Sequence, residues 1–87
     1  MYVVVVHNIS DPEKFWSTAQ SALETGGIPE TITMHASFPD VTGTRAVCLW
    51  EASSVEPVRG FIEEAVGAVS ENQYFEVADQ NAVGLPT

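Results

Sequence analysis

Two β-strands joined by a tight loop are written into residues 32–52, Ile-Thr-Met-His-Ala-Ser-Phe-Pro-Asp-Val-Thr-Gly-Thr-Arg-Ala-Val-Cys-Leu-Trp-Glu-Ala. The loop is Pro39–Gly43. A turn centred on Asp40–Gly43 sets His35 opposite Cys48, Thr33 opposite Trp50 and Ser37 opposite Ala46. Side chains alternate between the two faces of a strand, so these six share one face. Met34, Leu49, Ala36 and Val47 share the other, flanked by Ile32 and Phe38. One face is apolar. The other pairs a histidine with the only cysteine of the chain. The shared face depends on this register, since a slip of one residue would exchange the two faces.

The rest of the chain arranges itself around that hairpin. Tyr2–His7 is a β-branched run bounded by Asn8 and Ser10, the pattern of a buried strand. Asp11-Pro12 opens a helix, with Asp11 as N-cap and Pro12 at the first helical position. Phe15, Ala19, Ala22 and Leu23 form its apolar stripe, and Gly26-Gly27 ends it. Ser53 to Glu56 fits a capping box, so a second helix starts near Ser54. Val58, Phe61, Ile62, Ala65 and Val66 form its apolar face, and Gly67 marks its end. Residues 73–77 are a fourth strand.

The order βαββαβ predicts an α+β ferredoxin-like sandwich. Its antiparallel sheet has strand order 4-1-3-2, with both helices on one face. Residues 1–79 form the domain and 80–87 a C-terminal tail. With the helices on one side, the other face of the sheet needs a cover. A second copy related by a two-fold axis is the simplest one, so a homodimer is expected.

Composition narrows the partners. Twelve acidic residues against three basic ones give a net charge of −9. Nucleic acid and anionic membranes call for a basic surface, and Lys14, Arg45 and Arg59 are scattered. No stretch approaches the roughly 20 apolar residues of a membrane span. The absence of a signal-peptide pattern and the single cysteine predict a cytoplasmic protein. No phosphate-binding glycine loop, zinc-ribbon cysteine pair or nucleophile elbow is present.

If Val47 and Leu49 face the helices, the open face collects His7, His35, Cys48, Trp50, Tyr74 and Glu76. Imidazole and thiolate suit nickel, copper, cobalt or zinc, and a carboxylate can complete the shell. The expected metal ligands are therefore His7, His35, Cys48 and Glu76, with Trp50 and Tyr74 as pocket walls. Against this stands the plainer reading of Cys48 as a small buried hydrophobe and of the histidines as hydrogen-bonded interface groups.

Several short motifs resemble the dimeric α/β-barrel superfamily, in which two such sheets close into one barrel. Val6-His7 ends the first strand, and Gly43-Thr44 leads into a strand with central Cys48. Glu51-Ala52-Ser53-Ser54 precedes the second helix, Val58-Arg59 follows, and Glu76-Val77 closes the fourth strand. Together they resemble a branch of small proteins that includes nickel-binding members. Members of that branch often carry a further histidine in or after the second helix, and residues 61–72 contain none.

The resemblance implies a homodimeric small-ligand-binding protein, its ligand a transition metal, nickel first. The alternative it implies is an enzyme of the cofactor-free monooxygenase, isomerase or cyclase type. That enzyme would act on an apolar aromatic or polyketide-like substrate in the barrel lumen, with His35 or His7 as general base. A third expectation is a purely structural role, with the open face a dry dimer interface.

Overall fold

A computed structural model describes residues 1–86. The elements are β1 (Tyr2–Ile9), α1 (Pro12–Thr25), β2 (Thr33–Pro39), β3 (Arg45–Glu51), α2 (Val55–Val66) and β4 (Ser70–Glu76). They form one four-stranded sheet in the order β2-β3-β1-β4, with every neighbouring pair antiparallel. This is the ferredoxin-like arrangement expected from the element order, with its strand order read from the opposite edge. No helix among the described residues is long and apolar enough to cross a membrane.

Local chemistry explains the helix ends. Asp11 Oδ1 accepts a hydrogen bond from the Lys14 backbone N–H at 3.1 Å, satisfying a donor that the first helical turn leaves orphaned. Gly26 takes φ 68°, ψ 28° and closes α1 in the left-handed conformation open to glycine. Ser54 sits at the N-cap of α2, but its side chain makes no capping bond. The capping box expected from Ser53 and Glu56 is therefore not formed.

The core lies between the sheet and the helices. Val3, Val5, His7 and Ile9 of β1 are buried, as are Ala46, Cys48 and Trp50 of β3. They pack with Phe15 from α1 and with Val58, Ile62 and Val66 from α2. The opposite face presents Val4 and Val6 beside Val47, Leu49 and Phe75, with Ala36 and Phe38 on β2. Phe38 is 68% exposed and Phe75 51% exposed, so this face is apolar and uncovered in one chain.

The face assignment drawn from the sequence is reversed on β1, β3 and β4, and on β2 only from Ala36 onward; Thr33, Met34 and His35 lie on the sides expected. On β1 both faces are valine, so alternation could not choose between them. The choice was set by Ile9, which lies beyond the expected strand end and is buried in phase with His7. On β3 the small residues Ala46 and Cys48 point to the helices, while Val47 and Leu49 turn away. The hairpin register also differs. Ser37, and not His35, lies opposite Cys48, and Met34 lies opposite Trp50. The ladder is irregular between Met34 and Ala36. His35 is the extra residue there, and such bulges re-aim a side chain.

Candidate functional site

The expected cluster of His7, His35, Cys48 and Glu76 on the open face is not assembled. Cys48 and His7 lie on the helix side, both buried. His35 lies on the open side, where its Nε2 is 2.8 Å from Glu51 Oε1 and its ring packs 5.7 Å from that of Tyr2. Trp50 and Tyr74 also lie on the helix side. Glu76, opposite Val3, shares their phase but is exposed at the sheet edge. Among the described residues no group of three or more His, Cys, Asp or Glu side chains is gathered closely enough to hold a metal ion. These residues therefore do not fit nickel, zinc, copper or cobalt as a site within one chain. Cys48 adds a chemical reason. Burial pushes its thiol up, away from the thiolate a metal would take, and its Sγ donates to Ser37 Oγ at 3.5 Å.

The helix-side face holds a different feature, a cavity of about 290 Å³ between the helices and the sheet. Its floor is Cys48, Trp50, Met34 and Ser37, with His7 at one side. Phe15, Ala19 and Ala22 of α1 and Phe61 and Ile62 of α2 form its walls. The small side chains matter. Ala19 and Ala22 lie on the inner stripe of α1, where larger residues would have closed the gap, and Cys48 keeps the facing strand low. Leu23, expected on the buried stripe, is 54% exposed. With Gln20 and Ala65, also exposed, it marks the mouth between the two helices. Trp16 closes the space near the hairpin, donating from Nε1 to the Gly43 carbonyl at 2.9 Å. Gly43 has φ 75°, and a β-carbon there would meet Trp16 Nε1 at 3.4 Å, so glycine suits both the turn and the contact.

Magnitude says what such a space can be. A sealed void costs about 24 cal/mol per Å³, so 290 Å³ would cost ~7 kcal/mol if dry and closed. That equals the whole stability of many small domains, about 5–15 kcal/mol. The space is compatible with a stable fold when it communicates with solvent through its mouth or receives a guest. Its volume sits near the lower end of ligand pockets, roughly 300–1,000 Å³.

One polar chain reaches the cavity. His7 is 1% exposed and its Nδ1 lies 2.6 Å from Asn72 Oδ1. Asn72 Nδ2 donates to Glu63 Oε2 at 2.9 Å, and the Tyr74 hydroxyl donates to the same oxygen at 2.5 Å. Arg59 lies over the Tyr74 ring, 5.0 Å from its centroid. The chain dictates a tautomer. The Tyr74 and Asn72 hydrogen bonds hold the Glu63 carboxyl below its usual range, so it is ionised and can only accept. Asn72 must then turn its NH₂ to Glu63 and its oxygen to His7. Burial holds His7 below its ordinary value, against the opposing effects of Asn72 and Glu63. A neutral His7 facing an acceptor carries its proton on Nδ1 and leaves Nε2 as a lone pair. Tyr74 is pushed far up by burial and by Glu63, so it stays a phenol and a donor.

A second polar group in the wall is unmatched. Trp50 is 3% exposed and its indole N–H has no hydrogen-bond partner among the described residues. Glu63 and Asn72 were not visible as site residues in the sequence, where Glu63-Glu64 reads as a solvated helix face. Asn72 lay outside the expected fourth strand, residues 73–77, whereas β4 begins at Ser70 and pairs Asn72 with His7.

No protein-family model, curated protein or solved structure matches the chain. The fold and the cavity define the class: a ferredoxin-like α+β domain with an apolar cavity between its layers and a tautomer-fixed histidine in the cavity wall.

Proposed function

We propose that this protein binds a small apolar organic molecule in the cavity between its helices and its sheet, and that it works as a homodimer closed through the open sheet faces. The observation that carries the ligand reading is the cavity itself. It is about 290 Å³, walled mainly by aliphatic and aromatic side chains, with few polar groups in its wall, the usual make-up of a small-molecule site. The site thus moves from the open face, where the sequence placed it, to the other side of the same sheet. The dimer reading rests on the exposed row of Phe38, Val47 and Phe75. Such a face is rarely left uncovered in a monomer.

Catalysis is a second reading with one observation in its favour. His7 is neutral, with Nε2 as its lone pair, which is the form a general base takes. It would serve proton abstraction from an apolar substrate without any cofactor.

The test is direct binding of 1-aminoanthracene, a fluorescent apolar probe. Saturable binding at one site per chain, abolished by Ala19→Phe with the fold retained by circular dichroism, is the expected result. Probe binding that is indifferent to Ala19→Phe would overturn the cavity reading. Elemental analysis of untagged protein runs beside it. Stoichiometric metal in place of probe binding would return the search to a metal, held between chains.

A further inference from the structure

We infer that the ligand of this cavity is polar at both ends, with a hydrogen-bond acceptor for the Trp50 indole N–H at one end and a hydroxyl or N–H for His7 Nε2 at the other. This rests on the cavity reading above and goes beyond it by naming the ligand's chemistry.

Two observations on separate strands carry it. The first is Trp50, a residue of the cavity lining whose buried indole N–H has no hydrogen-bond partner among the described residues. Buried donors are nearly always satisfied, and an orphan calls for a specific explanation. A carbonyl or ether oxygen on a bound molecule satisfies it. The second is the fixed tautomer of His7. The Glu63 carboxylate orients Asn72, the Asn72 Oδ1 accepts a hydrogen bond from His7 Nδ1–H, and the remaining nitrogen is left as an acceptor.

The sheet register sets the separation. Trp50 pairs with Val3, and His7 lies further along the same strand opposite Ala46. The two positions are roughly 13 Å apart along β1 at the rise of a strand, with Val5 and Cys48 between them. The side chains therefore address different ends of the ligand, and the apolar floor between them suits a flat hydrocarbon middle. Trp50 is on this account the residue that selects an acceptor, and Asn72 and Glu63 are positioning residues for His7.

Calorimetric titration of three compounds into the wild-type chain tests this. The first is 4-(4-hydroxyphenyl)-3-buten-2-one, a phenol at one end and a ketone at the other. The second, 4-phenyl-3-buten-2-one, lacks the hydroxyl, and the third, 4-butylphenol, lacks the ketone. The expected result is that the first binds about tenfold more tightly than either analogue, the scale of one buried hydrogen bond lost. Trp50→Phe should erase the advantage of the ketone, so that the first compound binds no more tightly than 4-butylphenol does to the same variant, and in the wild type the Trp50 indole proton should move downfield only with the two ketones. Equal affinity for all three, with saturable binding, overturns the two-ended recognition while leaving the cavity reading standing. No binding of any of the three, together with no 1-aminoanthracene binding, overturns both.

Discussion

At the scale of single residues, His7 is the side chain whose surroundings say most. It is buried and neutral, and its Nδ1 faces Asn72. The tautomer is directly observable. Long-range ¹H–¹⁵N correlation spectra should show His7 protonated at Nδ1 and bare at Nε2, and Asn72→Leu should give a mixture of tautomers. A wild-type ring protonated at Nε2 would contradict the hydrogen-bond chain. The same histidine couples folding to pH. Its folded value lies below the ordinary 6.5, so between the two the unfolded chain binds the proton that the folded chain refuses. Stability is then full above about 6.5 and falls as pH drops from there toward the folded value. Urea midpoints should decline across that window in wild type. His7→Gln, which keeps a donor for Asn72, should flatten the decline. A wild-type midpoint level over the same window would mean His7 does not resist its proton.

What could be read from single residues was uneven. His7, Cys48 and Trp50 were singled out in the sequence, and all three line the cavity on the helix side rather than a pocket on the open face. Their face was not legible. Tyr2–His7 offers valine on both sides, and the decisive Ile9 lay outside the expected strand. Asn72 and Glu63 were invisible because their role depends on α2 crossing β4, a long-range contact without a local pattern. His35 and Cys48 were separated by an irregularity at His35, and a bulge of one residue leaves no signature in an alternating pattern.

At the scale of elements, the boundaries followed local chemistry and the packing did not. The Asp11 cap, the Pro12 start and the Gly26 stop of α1 all stand where the sequence put them. Ser54 caps α2 by position, without a side-chain bond. The two caps should therefore differ when truncated. Asp11→Ala should cost about 1 kcal/mol in urea unfolding, and Ser54→Ala less than ~0.5 kcal/mol, the lower edge of the same range. Equal costs would mean that the Asp11 bond to Lys14 contributes nothing. The apolar stripe of α1 predicted close contact with the sheet along its length. Only Phe15 is buried, because the stripe continues with alanines and the cavity opens beneath them. Periodicity reports which side of a helix faces inward. It does not report how closely that side approaches, which depends on side-chain volume summed over both layers.

At the scale of the whole molecule, the sheet has two faces of different character. One faces the helices and holds the cavity. The other is apolar, exposed and proposed to meet its twin. Light scattering should give twice the 9.4 kDa of one chain, and the double variant Val47→Lys with Phe75→Lys should give a monomer that retains 1-aminoanthracene binding. Each chain carries a net −9, so two chains repel, and added salt screens that repulsion over a Debye length of about 10 Å at 0.1 M. Dimer affinity should rise with salt. A monomeric wild type at all salt concentrations would leave the open face without its partner.

The two faces also make the central claim accessible to one experiment. Methyl-labelled protein, titrated with 4-phenyl-3-buten-2-one and followed by ¹H–¹³C spectra, reports from both sides of the sheet at once. The expected result is saturable shifts at Met34, Ala19 and Ala22, which line the cavity, with Ala36 and Val47 on the open face unmoved. Shifts confined to Ala36 and Val47 would place the ligand on the open face and contradict a site between the helices and the sheet.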